Sequence, residues 1–230
     1  MSGRIGSNLR RLVPLLILVP AVFGQTSQVP YAPGTDGPGP TFTNDTASLS
    51  YPGSYSSIRK ADFRNLPILD PAGKPAAGIS LKDGHYKRDE LGDHFSMDLD
   101  SVHYLSTSTP SKGDFALVLY SWFAAGGSSD QGGTAQVFTV SAGHLRSVQE
   151  IGWDTHFQAG GPTDSFDPST NTLLIRSAHY IPGDAHCCVS AMDIVTFRWD
   201  GNRFIQSSIQ TELSAYGKKQ GKILPKTSPR

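Results

Sequence analysis

The sequence predicts one mainly antiparallel β domain at residues 57–211, and three observations carry that prediction. Apolar runs rich in aromatic and β-branched residues recur at 114–124 (DFALVLYSWFA), 134–140 (TAQVFTV), 171–180 (NTLLIRSAHY), 192–199 (MDIVTFRW) and 203–210 (RFIQSSIQ). Glycine stands at three tight reversals: Lys82-Asp83-Gly84, Ser141-Ala142-Gly143 and Asp200-Gly201-Asn202. Such hairpin turns need positive φ, which glycine adopts without steric cost. No segment keeps a 3.6-residue apolar period for longer than about two turns, so no long helix is expected.

Taken in chain order, residues 1–24 read as a secretory signal peptide. Arg4, Arg10 and Arg11 form a basic start, 12–23 is an apolar run, and Gly24 precedes Gln25 as a small residue at the cut. The run is shorter than the roughly 20 residues that span a bilayer, so no permanent membrane span is expected after cleavage. Residues 25–56 are Pro, Gly, Ser, Thr and Tyr with few aliphatics, which reads as a flexible linker. Asn44-Asp45-Thr46 within it is a glycosylation sequon. The strand series occupies 57–211, a length suited to a single core. Between two of its strands, 124–134 (AAGGSSDQGGT) reads as a mobile glycine loop. It lacks the P-loop lysine and leads into a strand instead of a helix, which argues against a nucleotide cradle. Residues 212–230 read as a flexible tail whose five charges, Lys218, Lys219, Lys222, Lys226 and Arg230, follow Glu212.

Charge excludes one class of partner. The whole chain balances 20 basic against 20 acidic residues, but residues 25–217 hold 12 basic against 20 acidic, a net of −8. An acidic body does not match the phosphate backbone of a nucleic acid.

From Cys187 through Ser190 and VTFRWDGNRF, the chain resembles the C-terminal hairpin of exported bacterial proteins of the LppP/LprE lipoprotein type. The upstream order KGDFALVLYSW, Gly/Ser loop, AQVFTVSAGHLRSV and TLLIRSAHY is also similar, over about residues 97–210. The chain departs from the pattern in two places. It lacks a lipid-anchor cysteine, and LSTSTPSKGD stands where relatives carry an acidic Asp-x-x-Gly-Asp-Gly loop, with only Asp114 left. One carboxylate is too few for a calcium ion, which takes several oxygens. The resemblance implies an exported β-rich module with no known reaction.

The only two cysteines, Cys187 and Cys188, are neighbours. Adjacent Cα atoms lie about 3.8 Å apart, shorter than the roughly 4.4–6.8 Å of ordinary disulfides, so a vicinal bond needs a bent backbone. Pro182-Gly183 just upstream supplies the bend and export supplies an oxidising setting, which favours a Cys187–Cys188 disulfide. Its stabilising effect is about 1 kcal/mol because the loop it closes is minimal. Free thiols and metal ligation are the alternatives. His179, Asp184 and His186 crowd the same stretch, and His/Cys clusters of this kind take zinc or copper. The spacing matches no standard metal motif, so local hydrogen bonding by polar loop residues is the simpler reading. Asp154 and His156 form a second two-residue pair. Trp122, Trp153 and Trp199 fit either core packing or a sugar-stacking face, with core favoured in a domain of this size.

No Gly-x-Ser-x-Gly, His-Glu-x-x-His or comparable nucleophile motif is present, and Glu occurs only at 90, 150 and 212. The chain therefore reads as a secreted or periplasmic, non-catalytic β module with no cofactor. It would bind a ligand, an envelope component or a protein partner, with catalytic and ligand-binding residues unassigned. The alternative is a metal- or thiol-dependent enzyme centred on His179, His186, Cys187 and Cys188. The export reading predicts a mature chain that begins at Gln25. N-terminal sequencing of exported material checks it, and Met1 or Ser2 at the terminus would refute it.

Overall fold

The structure, a computed structural model, describes residues 42–44, 49–69, 75–90, 93–105, 114–125, 129–155, 164–185 and 188–224. Residues 1–24, which the sequence suggests are a signal peptide, lie outside the described residues. The chain first forms two short strands, β1 (Phe42–Asn44) and β2 (Leu49–Ser50). Two 3-10 turns (Ile58–Lys60 and Phe63–Asn65) and the paired strands β3 (Pro67–Leu69) and β4 (Pro75–Ser80) follow. Five strands then run in sequence, β5 (His85–Glu90), β6 (Asp93–Leu105), β7 (Phe115–Ala125), β8 (Ser129–Ser141) and β9 (His144–Thr155). Each pairs antiparallel with the next, and β1 and β2 both pair with β9, which completes a seven-stranded sheet. The strands β10 (Asp164–Asp167), β11 (Thr172–His179), β12 (Ala191–Trp199) and β13 (Phe204–Leu213) form a second antiparallel sheet in simple sequential order. A short helix, α1 (Ala215–Lys219), follows. The fold is mainly antiparallel β, as the sequence predicts.

The position of β7 explains the layering. Its run FALVLY is apolar at every residue, and in a strand consecutive side chains point to opposite faces. Both faces therefore need cover, and all six residues are buried. Phe115, Leu117 and Leu119 point toward the second sheet, where they join Val137, Ile151, Leu173, Ile175, Val195, Phe197 and Phe204 in one core. Ala116, Val118 and Tyr120 point the other way and join Phe138, Leu145, Tyr51, Ile58, Phe63, Leu66 and Leu81. Tyr51 and Phe63 each set their ring against Phe138, at centroid distances of 5.4 and 5.3 Å. Such aromatic pairs add to the stabilisation from area burial.

This second core corrects the expected domain boundaries. The linker was expected to run to residue 56, but Tyr51 is buried, its amide donates to the Leu145 carbonyl, and that of Tyr55 donates to Gly143. A Pro/Gly/Ser-rich segment thus contributes an aromatic anchor and paired backbone. At the other end the tail was expected from 212, but β13 continues to Leu213 and α1 packs through Gly217, which is buried against the Ser190 backbone.

Two of the three glycine turns behave as expected. Ala142-Gly143 joins β8 to β9 with φ of +51° and +79° at its two residues, the primed turn that suits the strand twist. The Asp200-Gly201 turn joins β12 to β13, where Asp200 Oδ1 accepts from the amides of Asn202 (2.8 Å) and Arg203 (2.9 Å). The turn at Asp83-Gly84 forms with positive φ at both residues, but the strands it joins go to different sheets. Only Lys82 and His85 bridge across it, because β4 pairs with β3 and β5 pairs with β6.

The expected glycine loop at 124–134 is mostly strand. β7 runs to Ala125 and β8 starts at Ser129, with Ala125 facing Ser129. Gly132 sits opposite Trp122 and Gly133 opposite Trp153. A Cβ on Gly133 would overlap the Trp153 indole, and one on Gly132 would overlap the ring of Trp122. The glycines are there because two indoles lie across them, one on each face of the sheet.

A buried polar side chain ties the two sheets together. Gln149, fully buried on β9, donates from Nε2 to the Phe204 carbonyl (2.9 Å) and accepts at Oε1 from the Phe204 amide (2.7 Å). The side-chain amide thus pairs with the start of β13 as another strand would. Gln149→Leu keeps the volume and strands both Phe204 groups in the core. It is expected to lower stability by about 2–4 kcal/mol, from one to two unsatisfied buried groups, as read by urea denaturation. A loss below about 0.5 kcal/mol, the size of an ordinary surface substitution, would contradict this role.

Candidate functional site

The residues singled out around 179–188 fall in and beside the connection from β11 to β12. His186 and Cys187 lie outside the described residues, so the Cys187–Cys188 pair is not described. His156 also lies outside them. Of the rest, His179 ends β11 and its Nδ1 is 3.0 Å from Asp193 Oδ2 on the neighbouring β12. The Asp193 carboxylate is fully buried and its Oδ1 accepts from Thr211 Oγ1 on β13 at 2.6 Å. Three adjacent strands thus contribute one residue each to a His–Asp–Thr chain, with the His179 side chain 15% exposed. A carboxylate in this position holds the imidazole in one tautomer and orientation. Ser177, two residues before His179 on the same strand, donates its hydroxyl to the Asp154 carbonyl on β9 (3.3 Å) and is engaged in joining the sheets.

Asp184 does not join His179. Its Oδ2 accepts from the amides of Ile181 (3.0 Å) and Ser190 (2.8 Å), and its Oδ1 is paired with the Ser190 hydroxyl. Lys222, just after α1, lies 3.7 Å from Oδ1. Burial alone pushes the Asp184 carboxyl up. The bonds from Ser190 and Ile181, together with Lys222, outweigh that and hold it below the usual carboxylate range. Asp184 therefore folds the connection back on itself and fastens α1 to it, the local hydrogen-bonding reading of this residue. Among the described residues no group of three His, Cys, Asp or Glu side chains could hold a metal ion.

The tryptophans do not share a surface. Trp153 is buried against Gly133, Trp122 lies across Gly132 on the opposite face, and Trp199, partly buried, packs against the core at Phe115 (5.1 Å) and Phe204 (5.2 Å).

A cavity of about 150 Å³ lies on the other face of the large sheet, beneath the N-terminal segment. Tyr120 on β7, Thr134 and Gln136 on β8, and Glu150 on β9 form its floor, with Met97 of β6 at one side. Strand register brings them together: Tyr120 faces Thr134 and Gln136 faces Glu150, on the face opposite the second sheet. Leu49, Tyr51, Leu66, Pro67 and Leu81 make the roof, so the segment that buries this face of β7 also covers the cavity. Gln136 Nε2 donates to Glu150 Oε2 at 2.7 Å. Burial, then the negative charge of Glu150, pushes the Tyr51 phenol far above its ordinary pKa. Burial does the same to Tyr120, with Tyr51 and Glu150 adding to it. Both phenols are neutral throughout the physiological range and offer hydroxyls and aromatic faces, not charge. Apolar walls with a few convergent polar groups are the composition of a small-molecule site.

Sequence reading did not single out Tyr51, Tyr120, Gln136 or Glu150. The available signal was weak: Gln136 and Glu150 are polar residues within runs of strand formers, 14 positions apart. Only the β8–β9 register sets them side by side.

The depressed Asp184 carboxyl has a consequence for acid stability. A group whose folded pKa is lowered contributes stability above its unfolded pKa and loses it as pH falls through the folded value. Asp184→Asn is expected to cost about 1–3 kcal/mol at pH 7, and the gap to wild type should shrink as pH drops below the ordinary carboxylate range of about 4. Urea denaturation at pH 7 and pH 3 checks both points, and a gap that stays constant or widens in acid would refute the assignment.

No family model, curated protein or solved structure matches this chain, so its side-chain geometry is the ground for assigning a function.

Proposed function

We propose that this chain is an exported, non-catalytic β module that binds a small ligand in the cavity between the large sheet and its N-terminal covering segment. The observation that carries the reading is the cavity itself: about 150 Å³ lined by apolar side chains, two phenols, an amide and a carboxylate. A space of about this size has the volume of a benzene-sized molecule. Export rests on the Arg-rich start, the apolar run at 12–23 and Gly24. The resemblance of residues 97–210 to exported LppP/LprE-type proteins supports the same placement. A non-catalytic role is favoured by how the polar residues around 179–193 are used: Asp193 is committed to His179 and Thr211, and Asp184 to Ile181, Ser190 and Lys222. The Cys187–Cys188 disulfide belongs to the same reading, as a local stiffener of the connection between β11 and β12.

Two measurements test it. Protein purified without a histidine tag is expected to carry no stoichiometric zinc or copper and to show no free thiols when denatured without reductant. Stoichiometric metal that is lost in His186→Ala, or two free thiols per chain, would move the assignment to the metal- or thiol-dependent enzyme. In saturation-transfer NMR, small organic probes are expected to give signals with the wild type that vanish in Gly152→Leu. Gly152 faces the floor residue Thr134 across the strands, and a Cβ there meets no described atom within 4 Å, so a leucine would stand on the cavity side of the sheet beside Thr134 without backbone strain. Equal signals from both proteins would remove the cavity as the site.

A further inference from the structure

We propose that the cavity selects a small organic cation: a primary ammonium group on a compact apolar body. This inference rests on the ligand-binding reading above and specifies its chemistry. Among the described residues, Glu150 is the one charged residue lining the cavity. Gln136 occupies its Oε2, while Oε1 has no hydrogen-bond donor and no basic partner among the described residues. A partly buried carboxylate with one oxygen open is a specific acceptor for an N–H donor, and a charged donor gives the stronger bond. Tyr51 and Tyr120 line the same space, and an ammonium ion is attracted to aromatic rings. Leu49, Leu66 and Leu81 leave room only for an apolar remainder.

Other ligand classes fit less well. An anion would meet the Glu150 carboxylate with no basic side chain among the described lining residues to offset it. A hard divalent cation needs several oxygen ligands, and a single carboxylate among apolar walls does not supply them. The −8 net charge of residues 25–217 adds long-range attraction for a cation.

The probe is n-butylammonium, with n-butanol as its neutral isostere and butyrate as the anion, each titrated into the purified protein by NMR chemical-shift perturbation. In the wild type n-butylammonium is expected to bind roughly tenfold to hundredfold tighter than n-butanol, the range that a charge-assisted hydrogen bond supplies. Glu150→Gln keeps a side-chain acceptor for Gln136. It should bring n-butylammonium down to the level of n-butanol and leave n-butanol unchanged. Gly152→Leu should abolish binding of both while far-UV circular dichroism stays that of the wild type. Should Glu150→Gln fail to fold, the wild-type selectivity and the Gly152→Leu result still decide the matter. Equal binding of the ammonium and the alcohol, or tighter binding of butyrate, overturns the cation assignment and leaves the cavity a ligand site. No binding by any probe, or binding that survives Gly152→Leu, overturns the cation assignment and the cavity reading together.

Discussion

A strand that is apolar on both faces cannot lie at a protein surface, and β7 imposes that constraint on everything around it. Six consecutive buried residues, Phe115 to Tyr120, put three side chains on each side of the large sheet. The second sheet covers one side. The other is covered by a segment with little regular structure: β2, two 3-10 turns and the short β3–β4 pair. The difference between the two covers matters. A sheet presents a continuous surface of alternating side chains and packs closely against another sheet. An irregular segment anchored at separate points, here Tyr51, Ile58, Phe63, Leu66 and Leu81, follows the sheet less evenly and leaves space beneath it.

Polar groups divide along the same line. On the side of the second sheet they are used to hold structure. Gln149 pairs with both backbone groups of Phe204, Ser177 reaches the Asp154 carbonyl, and Asp193 is enclosed by His179 and Thr211. A buried polar group that lacks a partner is costly, so each of these positions is constrained by the groups it satisfies. On the side of the N-terminal segment, the Glu150 carboxylate retains an open oxygen beside two neutral phenols. The two sides thus differ: the first is filled by paired groups, and the second encloses a cavity of about 150 Å³.

The sheet margins show how the fold limits pairing with other chains. The edge strand β5 carries Lys87, Arg88 and Asp89, with Asp89 held below the usual carboxylate range by bonds from Lys87 and His94. On the edge strand β13 the register shifts opposite Thr196 and Phe197, where the Ser207 hydroxyl donates to the Thr196 carbonyl. Charges and bulges of this kind make an exposed edge a poor template for a further strand.

The sequence by itself determined the class of the fold and most of its strands, because period-two burial and β-branched or aromatic runs are local properties. The runs at 114–124, 171–180 and 192–199 became β7, β11 and β12, and the Ala142-Gly143 and Asp200-Gly201 turns join the strands expected of them. Tertiary structure decided what depends on which residues face one another. The glycines at 132 and 133 look like a loop in one dimension and become strand only because Trp122 and Trp153 lie across them. Tyr51 sits in a segment of linker composition and becomes core only because Phe138 offers a ring to pack against. His179 and Asp184 are near in sequence, yet their partners are Asp193 on the next strand and Ser190 beyond the bend. The cavity was the least legible of all. Its floor comes from β6 to β9 and its roof from residues 49–81, so only register and chain path bring Tyr51, Tyr120, Gln136 and Glu150 together. Composition and spacing carry the alternation of one strand, and long-range pairing is a property of the folded chain.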